Sequence, residues 1–160
     1  MAEYSVTRST RIAAPPERIQ PLIASFRQWR QWSPFEDQDP DLVREYRGPE
    51  SGTGAVYEYR GSARAGSGIM TITYAAPERV DVELEFLRPF KAVSHHTFAL
   101  TPVDGGSTEV SWTMRGTQNA IMRALMNMEK FAGPQFERGL AALQRVAEDD
   151  RDPGGSRADC

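Results

Sequence analysis

The side chains in this chain that could do chemistry are few. Its 160 residues carry two histidines, His95 and His96, five tyrosines and one cysteine, Cys160, at the last position. Neighbouring residues of a strand point to opposite faces, so His95 and His96 cannot share a metal ion without a bulge. Glu36, Asp37, Asp39 and Asp41 crowd one loop, but their spacing lacks the glycine and the closing glutamate of a calcium loop, and they read as a solvated acidic turn. The glycine-rich stretches Gly48 to Gly54 and Gly61 to Gly68 are not followed by Gly-Lys-Ser/Thr and open no helix, which makes them hairpin turns and not phosphate cradles. No Gly-x-Ser-x-Gly elbow is present, and a cysteine at the end of a polar tail is a poor candidate for a buried thiolate. Neither a metal nor a nucleotide cofactor is expected.

A small polar set remains, and its members share the faces of apolar residues. His96 alternates in phase with Phe98 and Leu100, Tyr74 with Met70 and Ile72, and Tyr57 with Tyr59, while Arg8 is a further candidate from the first strand. In an apolar pocket such groups orient a carbonyl or hydroxyl of a ligand, and His96 is the candidate catalytic residue for moving a proton near neutral pH. The plainer reading of a single histidine or tyrosine on an apolar face is a hydrogen-bonded core residue. Trp29 and Trp32 read likewise as packing at the pocket's edge.

The elements that must hold these residues follow from period and punctuation. Tyr4 to Ile12 alternates as a strand and is stopped by Ala13-Ala14-Pro15-Pro16; a helix starts at the prolines, with Ile19, Leu22, Ile23 and Phe26 at helical intervals. A second short helical turn carries Trp29 and Trp32 and ends at Ser33-Pro34. Six strands are then predicted at Leu42 to Tyr46, Ala55 to Arg60, Gly68 to Tyr74, Val80 to Leu87, Ala92 to Thr101 and Thr108 to Arg115. The connections are short, so the strands form an antiparallel meander. Val80, Val82, Leu84 and Phe86 alternate with charged neighbours and mark one dry face, to which the same parity assigns Met70, Ile72, Tyr74, Phe98, Leu100, Val110, Trp112 and Met114.

Leu125, Ala132, Phe136, Leu140, Leu143 and Ala147 recur at threes, fours and sevens, predicting a closing helix from about Ile121 to Ala147 that lies across the finished sheet. Gly133-Pro134 interrupts that period and predicts a kink, or a break into a segment near 120 to 128 and a longer one from about Pro134. Residues 149 to 160 lack apolar content and read as a disordered tail behind a domain spanning 1 to 148.

Composition narrows the class of function. With 39% hydrophobic and 26% charged residues the chain is a globular domain, and a net charge of -3 without a run of basic residues is not the footprint of a nucleic-acid binder. No stretch is apolar enough to span a membrane, and residues 1 to 20 hold no apolar signal core. One cysteine permits no intrachain disulfide, which accords with a cytoplasmic protein.

Several local patterns carry a resemblance. They are Ala14-Pro15-Pro16-Glu17 at the first helix, Trp29-Arg30-Gln31-Trp32-Ser33-Pro34-Phe35 after it, and Gly52-Thr53-Gly54-Ala55-Val56-Tyr57 entering a strand. Further on come Gly66-Ser67-Gly68-Ile69-Met70, Leu87-Arg88-Pro89-Phe90 and Gly133-Pro134-Gln135-Phe136-Glu137-Arg138-Gly139-Leu140. With the order of strand, two short helices, six strands and a long helix, the chain resembles the START-like proteins of helix-grip fold, in the bacterial polyketide cyclase/dehydrase or SRPBCC branch. The resemblance covers about residues 3 to 148. It implies an α+β domain with a pocket between sheet and helix for a hydrophobic or amphipathic small molecule, lipid-like or polyketide-like.

The expected lining is Tyr57 and Tyr59, then Met70, Ile72 and Tyr74, then Leu84 and Phe86, His96 and Phe98, Trp112 and Met114, closed from the helix by Met126, Phe136 and Leu140. A pocket of roughly 300 Å³ left dry would cost about 7 kcal/mol at about 24 cal/mol per Å³, comparable with a whole domain's stability. The space is therefore expected to hold ligand or water, or to be partly collapsed by flexible methionines. A non-catalytic binding or carrier role fits the absence of an acid/base pair at a usable spacing. The alternatives are a cyclase or dehydratase using His96 or a pocket tyrosine, and a regulatory module whose partner surface lies around Trp29 to Phe35.

Overall fold

The computed structural model describes residues 2–34, 41–62, 66–88, 91–118 and 127–150. Strand β1 (Ala2–Ile12) is followed by helix α1 (Pro16–Ile23), a 3-10 turn (Gln28–Gln31) and strands β2 (Val43–Arg47), β3 (Val56–Arg60), β4 (Ser67–Ala76), β5 (Arg79–Arg88), β6 (Ala92–Val103) and β7 (Ser107–Gln118). Helix α2 (Met128–Asp150) closes the described chain. The seven strands form one antiparallel sheet in the order β1-β7-β6-β5-β4-β3-β2. β2 to β7 are the expected meander. β1 closes it beside β7, and α1 with the 3-10 turn carries the chain from one edge to the other. This is the α+β helix-grip architecture.

Pro15 in extended conformation caps α1 and Pro16 fills its first turn, where a missing N–H costs nothing. Ile19, Leu22 and Ile23 are buried from it. The helix stops at Ile23, so Phe26 belongs to the link beyond, where it packs edge-on to Trp29 with ring centres 5.3 Å apart. Trp29 and Trp32 are core residues, 3% and 2% exposed. Their indole N–H groups donate to the carbonyls of Ile23 (2.7 Å) and Leu22 (2.9 Å), pinning the 3-10 turn to the carbonyl end of α1.

α2 differs from expectation at both ends. It starts at Met128 because Asn127 caps it: the side-chain oxygen accepts the Lys130 N–H at 3.1 Å. It then runs unbroken through Pro134 to Asp150, two residues into the segment expected to be tail. Pro134 sits on the solvent side, while Ala132 and Phe136 on either side of it are buried, so packing carries the helix across the lost hydrogen bond. The expected segment near 120 to 128 lies mostly outside the described residues, as do residues 151–160.

Candidate functional site

The register sorts the helix-facing side of the sheet into rows that cross the strands. Arg8, Trp112, Phe98 and Val80 form one row; Val6, Met114, His96, Val82 and Ile72 form the next. A third runs Tyr4, Gly116, Ser94, Leu84, Met70, Tyr57 and Tyr46, and a fourth holds Phe86, Gly68, Tyr59 and Arg44.

The first two rows are filled. The Phe136 ring of α2 lies 4.0 Å above Trp112, almost parallel to it, and Trp32 and Phe98 close around the same indole with ring centres 5.8 and 4.8 Å away. Phe98, Ile72, Trp112, Phe136 and Leu140 are each at most 2% exposed. Gly139 permits this closeness, since a Cβ there would come within 3.0 Å of the Trp112 ring. Arg8 is engaged as well: its Nη2 meets Glu129 at 2.5 Å and its Nε meets Glu137 at 2.8 Å, a tie between β1 and α2 beneath Gly133.

The outer two rows are built differently. Gly116, Ser94 and Gly68 give them a low floor, and Leu84, Met70, Phe86 and Tyr59 are only half-buried around it. Large apolar side chains left part-exposed beside small ones make these rows less closely covered than the inner ones. Of the expected lining, Tyr57, Tyr59, Met70, Leu84 and Phe86 stand in these rows, and His96 and Met114 sit at their border. Met126 lies outside the described residues.

Tyr74 is a correction. The pairing of β4 with β5 shifts between Ile72 and Tyr74, so Ile72 opposes Val82 while Tyr74 opposes Asp81. One extra residue reverses the parity. Tyr74 consequently lies 42% exposed on the far face, the Arg79 guanidinium 4.6 Å above its ring, and Ala75 takes the inner place opposite Val80.

His96 and His95 point to opposite faces, the first buried and the second exposed. The Trp112 indole can only donate, so its 3.0 Å contact makes His96 Nδ1 the acceptor and puts the proton on Nε2, which faces Ser94 Oγ at 3.2 Å. Burial, helped by the nearby His95, lowers the His96 pKa to about 4. The ring is neutral at pH 7 with its lone pair already taken.

Tyr4, Ser94 and Gly116 were missed as part of this surface, although Ser94 stands two residues before His96 and Tyr4 two before Val6, and the period-two signal applies to both. On the opposite face an open cleft of about 230 Å³ lies among Thr73, Asp81, His95, Thr97 and Arg115. Asp81 there pairs with Arg79 at 3.2 Å. Among the described residues no group of three or more His, Cys, Asp or Glu could hold a metal ion, and no described helix is long and apolar enough to cross a membrane.

A seven-stranded antiparallel sheet gripped by a carboxy-terminal helix, together with the family match, places the chain among the SRPBCC proteins of the START-like class. Within that class the chain belongs to the family described as polyketide cyclase / dehydrase and lipid transport, whose pattern matches residues 3–148. A START superfamily protein from Mycobacterium smegmatis is similar over 91% of this chain and 97% of its own, at 19% identity and a TM-score of 0.62. A Chromobacterium violaceum protein matches over 90% and 96% at 17% identity and a TM-score of 0.65. The protein Ara h 8.0201 matches over 92% and 99% at 12% identity and a TM-score of 0.65. At such identities the likeness is one of fold. No curated protein matches the chain.

Proposed function

We propose that this protein binds a hydrophobic or amphipathic small molecule in the recess over the outer rows of the sheet and acts as a binding or carrier protein. One observation carries the reading: the sheet face is tightly filled under Phe136, while Leu84, Met70, Phe86 and Tyr59 of the outer rows keep part of their apolar surface exposed. Apolar surface kept part-open beside a packed core is surface for a ligand. The family's description, which joins polyketide chemistry to lipid transport, supports the same ligand class.

The cyclase or dehydratase alternative needs a group that exchanges protons near neutral pH. His96 has its lone pair bound by Trp112 and a pKa lowered to about 4, and burial pushes the Tyr59 phenol up to about 12. Both are poorly matched to that task. The regulatory alternative placed its partner surface around Trp29 to Phe35, of which Trp29 and Trp32 are core residues and Phe35 lies outside the described residues.

Native mass spectrometry of the protein purified from its own host is expected to show a reproducible apolar adduct. Leu84→Trp, which fills the recess from its floor, is expected to remove the adduct and reduce binding of the fluorescent probe 1-anilinonaphthalene-8-sulfonate at least tenfold while leaving the circular dichroism spectrum unchanged. Clean apo protein that also ignores the probe would sink the reading.

A further inference from the structure

Tyr4 and Tyr59 stand at the two ends of the recess, both part-buried against the core. Each lies over a glycine of the adjacent strand: a Cβ on Gly116 would sit 2.5 Å from the Tyr4 hydroxyl, and one on Gly68 would sit 2.8 Å from the Tyr59 hydroxyl. Any larger residue at either place would push the ring off the sheet. The rings therefore lean inward, Tyr4 from the edge strand β1 over β7, and Tyr59 from β3 over β4. Between them lie Ser94, Leu84, Phe86 and Met70.

Neither hydroxyl has a hydrogen-bond partner among the described residues. Yet both rings are half-buried, and desolvation raises the pKa of each phenol. The described fold spends neither phenol O–H, so each is free to donate to an acceptor that arrives from outside it. Three strand spacings separate β7 from β4, roughly 14 Å measured along the sheet at about 4.8 Å per strand.

We infer that the recess takes an elongated molecule with an apolar middle and a hydrogen-bond-accepting oxygen at each end, one read by the Tyr4 hydroxyl and the other by the Tyr59 hydroxyl. This rests on the ligand-binding reading above and adds to it a length and two polar contacts. Specificity within the apolar class then comes from the phenols, because apolar walls discriminate weakly and a donor aimed at an acceptor discriminates well.

The test uses two probes, decane-1,10-diol and decan-1-ol, measured by displacement of 1-anilinonaphthalene-8-sulfonate from wild type, Tyr4→Phe, Tyr59→Phe and the double variant. Each single change is expected to weaken the diol by about 3- to 10-fold. The alcohol, which can reverse and use whichever phenol remains, is expected to weaken less than about twofold in either single variant and to drop only in the double one. Melting temperatures are expected to stay within a degree or so of wild type, since neither hydroxyl bonds the described fold. Diol affinity unchanged in both single variants, or an alcohol that binds while the diol does not, overturns the two-oxygen assignment and leaves ligand binding standing. Wild type that takes up none of the three compounds overturns both.

Discussion

His96 shows how much a neighbour decides about a side chain. On the sequence it is the candidate for proton transfer, and in the fold it is a neutral link between an indole donor and a serine hydroxyl. The consequence is a pH dependence of stability with a definite sign. The folded-state pKa of about 4 lies below the ordinary 6.5, so between those values the unfolded chain takes up a proton that the folded chain does not. The contribution is whole above pH 6.5 and is lost as the pH falls toward 4, on the order of 3 kcal/mol in all at 1.36 kcal/mol per pH unit. Urea unfolding at pH 7 and pH 5 is expected to differ by about 2 kcal/mol from this residue, and His96→Gln is expected to remove that difference. An equal slope in the variant would assign the dependence to other groups.

Helix α2 and strand β4 mark where local pattern and observed element part company. The apolar spacing of Ala132, Phe136, Leu140, Leu143 and Ala147 was readable and each of them is buried. The start was not, because Asn127 as a cap is a single polar residue inside a Met-rich stretch, and a proline seven residues on was the louder signal. Asn127→Ala is expected to cost about 1 kcal/mol in chemical unfolding. In β4 the alternation of Met70, Ile72 and Tyr74 is perfect, and pairing overrides it, since the shift opposite Asp81 reverses the face after Ile72. The Arg8 tie to Glu129 and Glu137 joins the edge strand to the helix from near solvent, so its effect is expected to fade with salt; melting curves of Arg8→Met at low and high ionic strength check this.

On the ligand-binding reading, the sheet face under α2 serves two tasks. Stability concentrates where Trp29, Trp32, Phe98, Trp112 and Phe136 interlock, and the proposed ligand site lies over the rows beyond them. Phe136→Ala removes the ring stacked on Trp112 and is expected to destabilise by about 3 to 5 kcal/mol. Leu84 lies one row outside that cluster's reach, and Leu84→Ala is expected to cost less, its side chain being already half-exposed. Chemical unfolding of the two variants separates the tasks, because equal losses would mean that the outer rows are packed as tightly as the inner ones.

Hairpin turns, two-residue alternation and helical spacing are local properties, and from them the order of elements, the antiparallel meander and the buried face of α2 could be read directly. The local patterns that carried the family resemblance lie in the same short segments. Which rows close and which stay open could not be read that way: it depends on Phe136 meeting Trp112, on Tyr4 and Tyr59 finding glycines across a strand boundary, and on a bulge that turns Tyr74 outward. Those are pairings between residues far apart in the chain, and a period read along one strand holds no information about its register against the next.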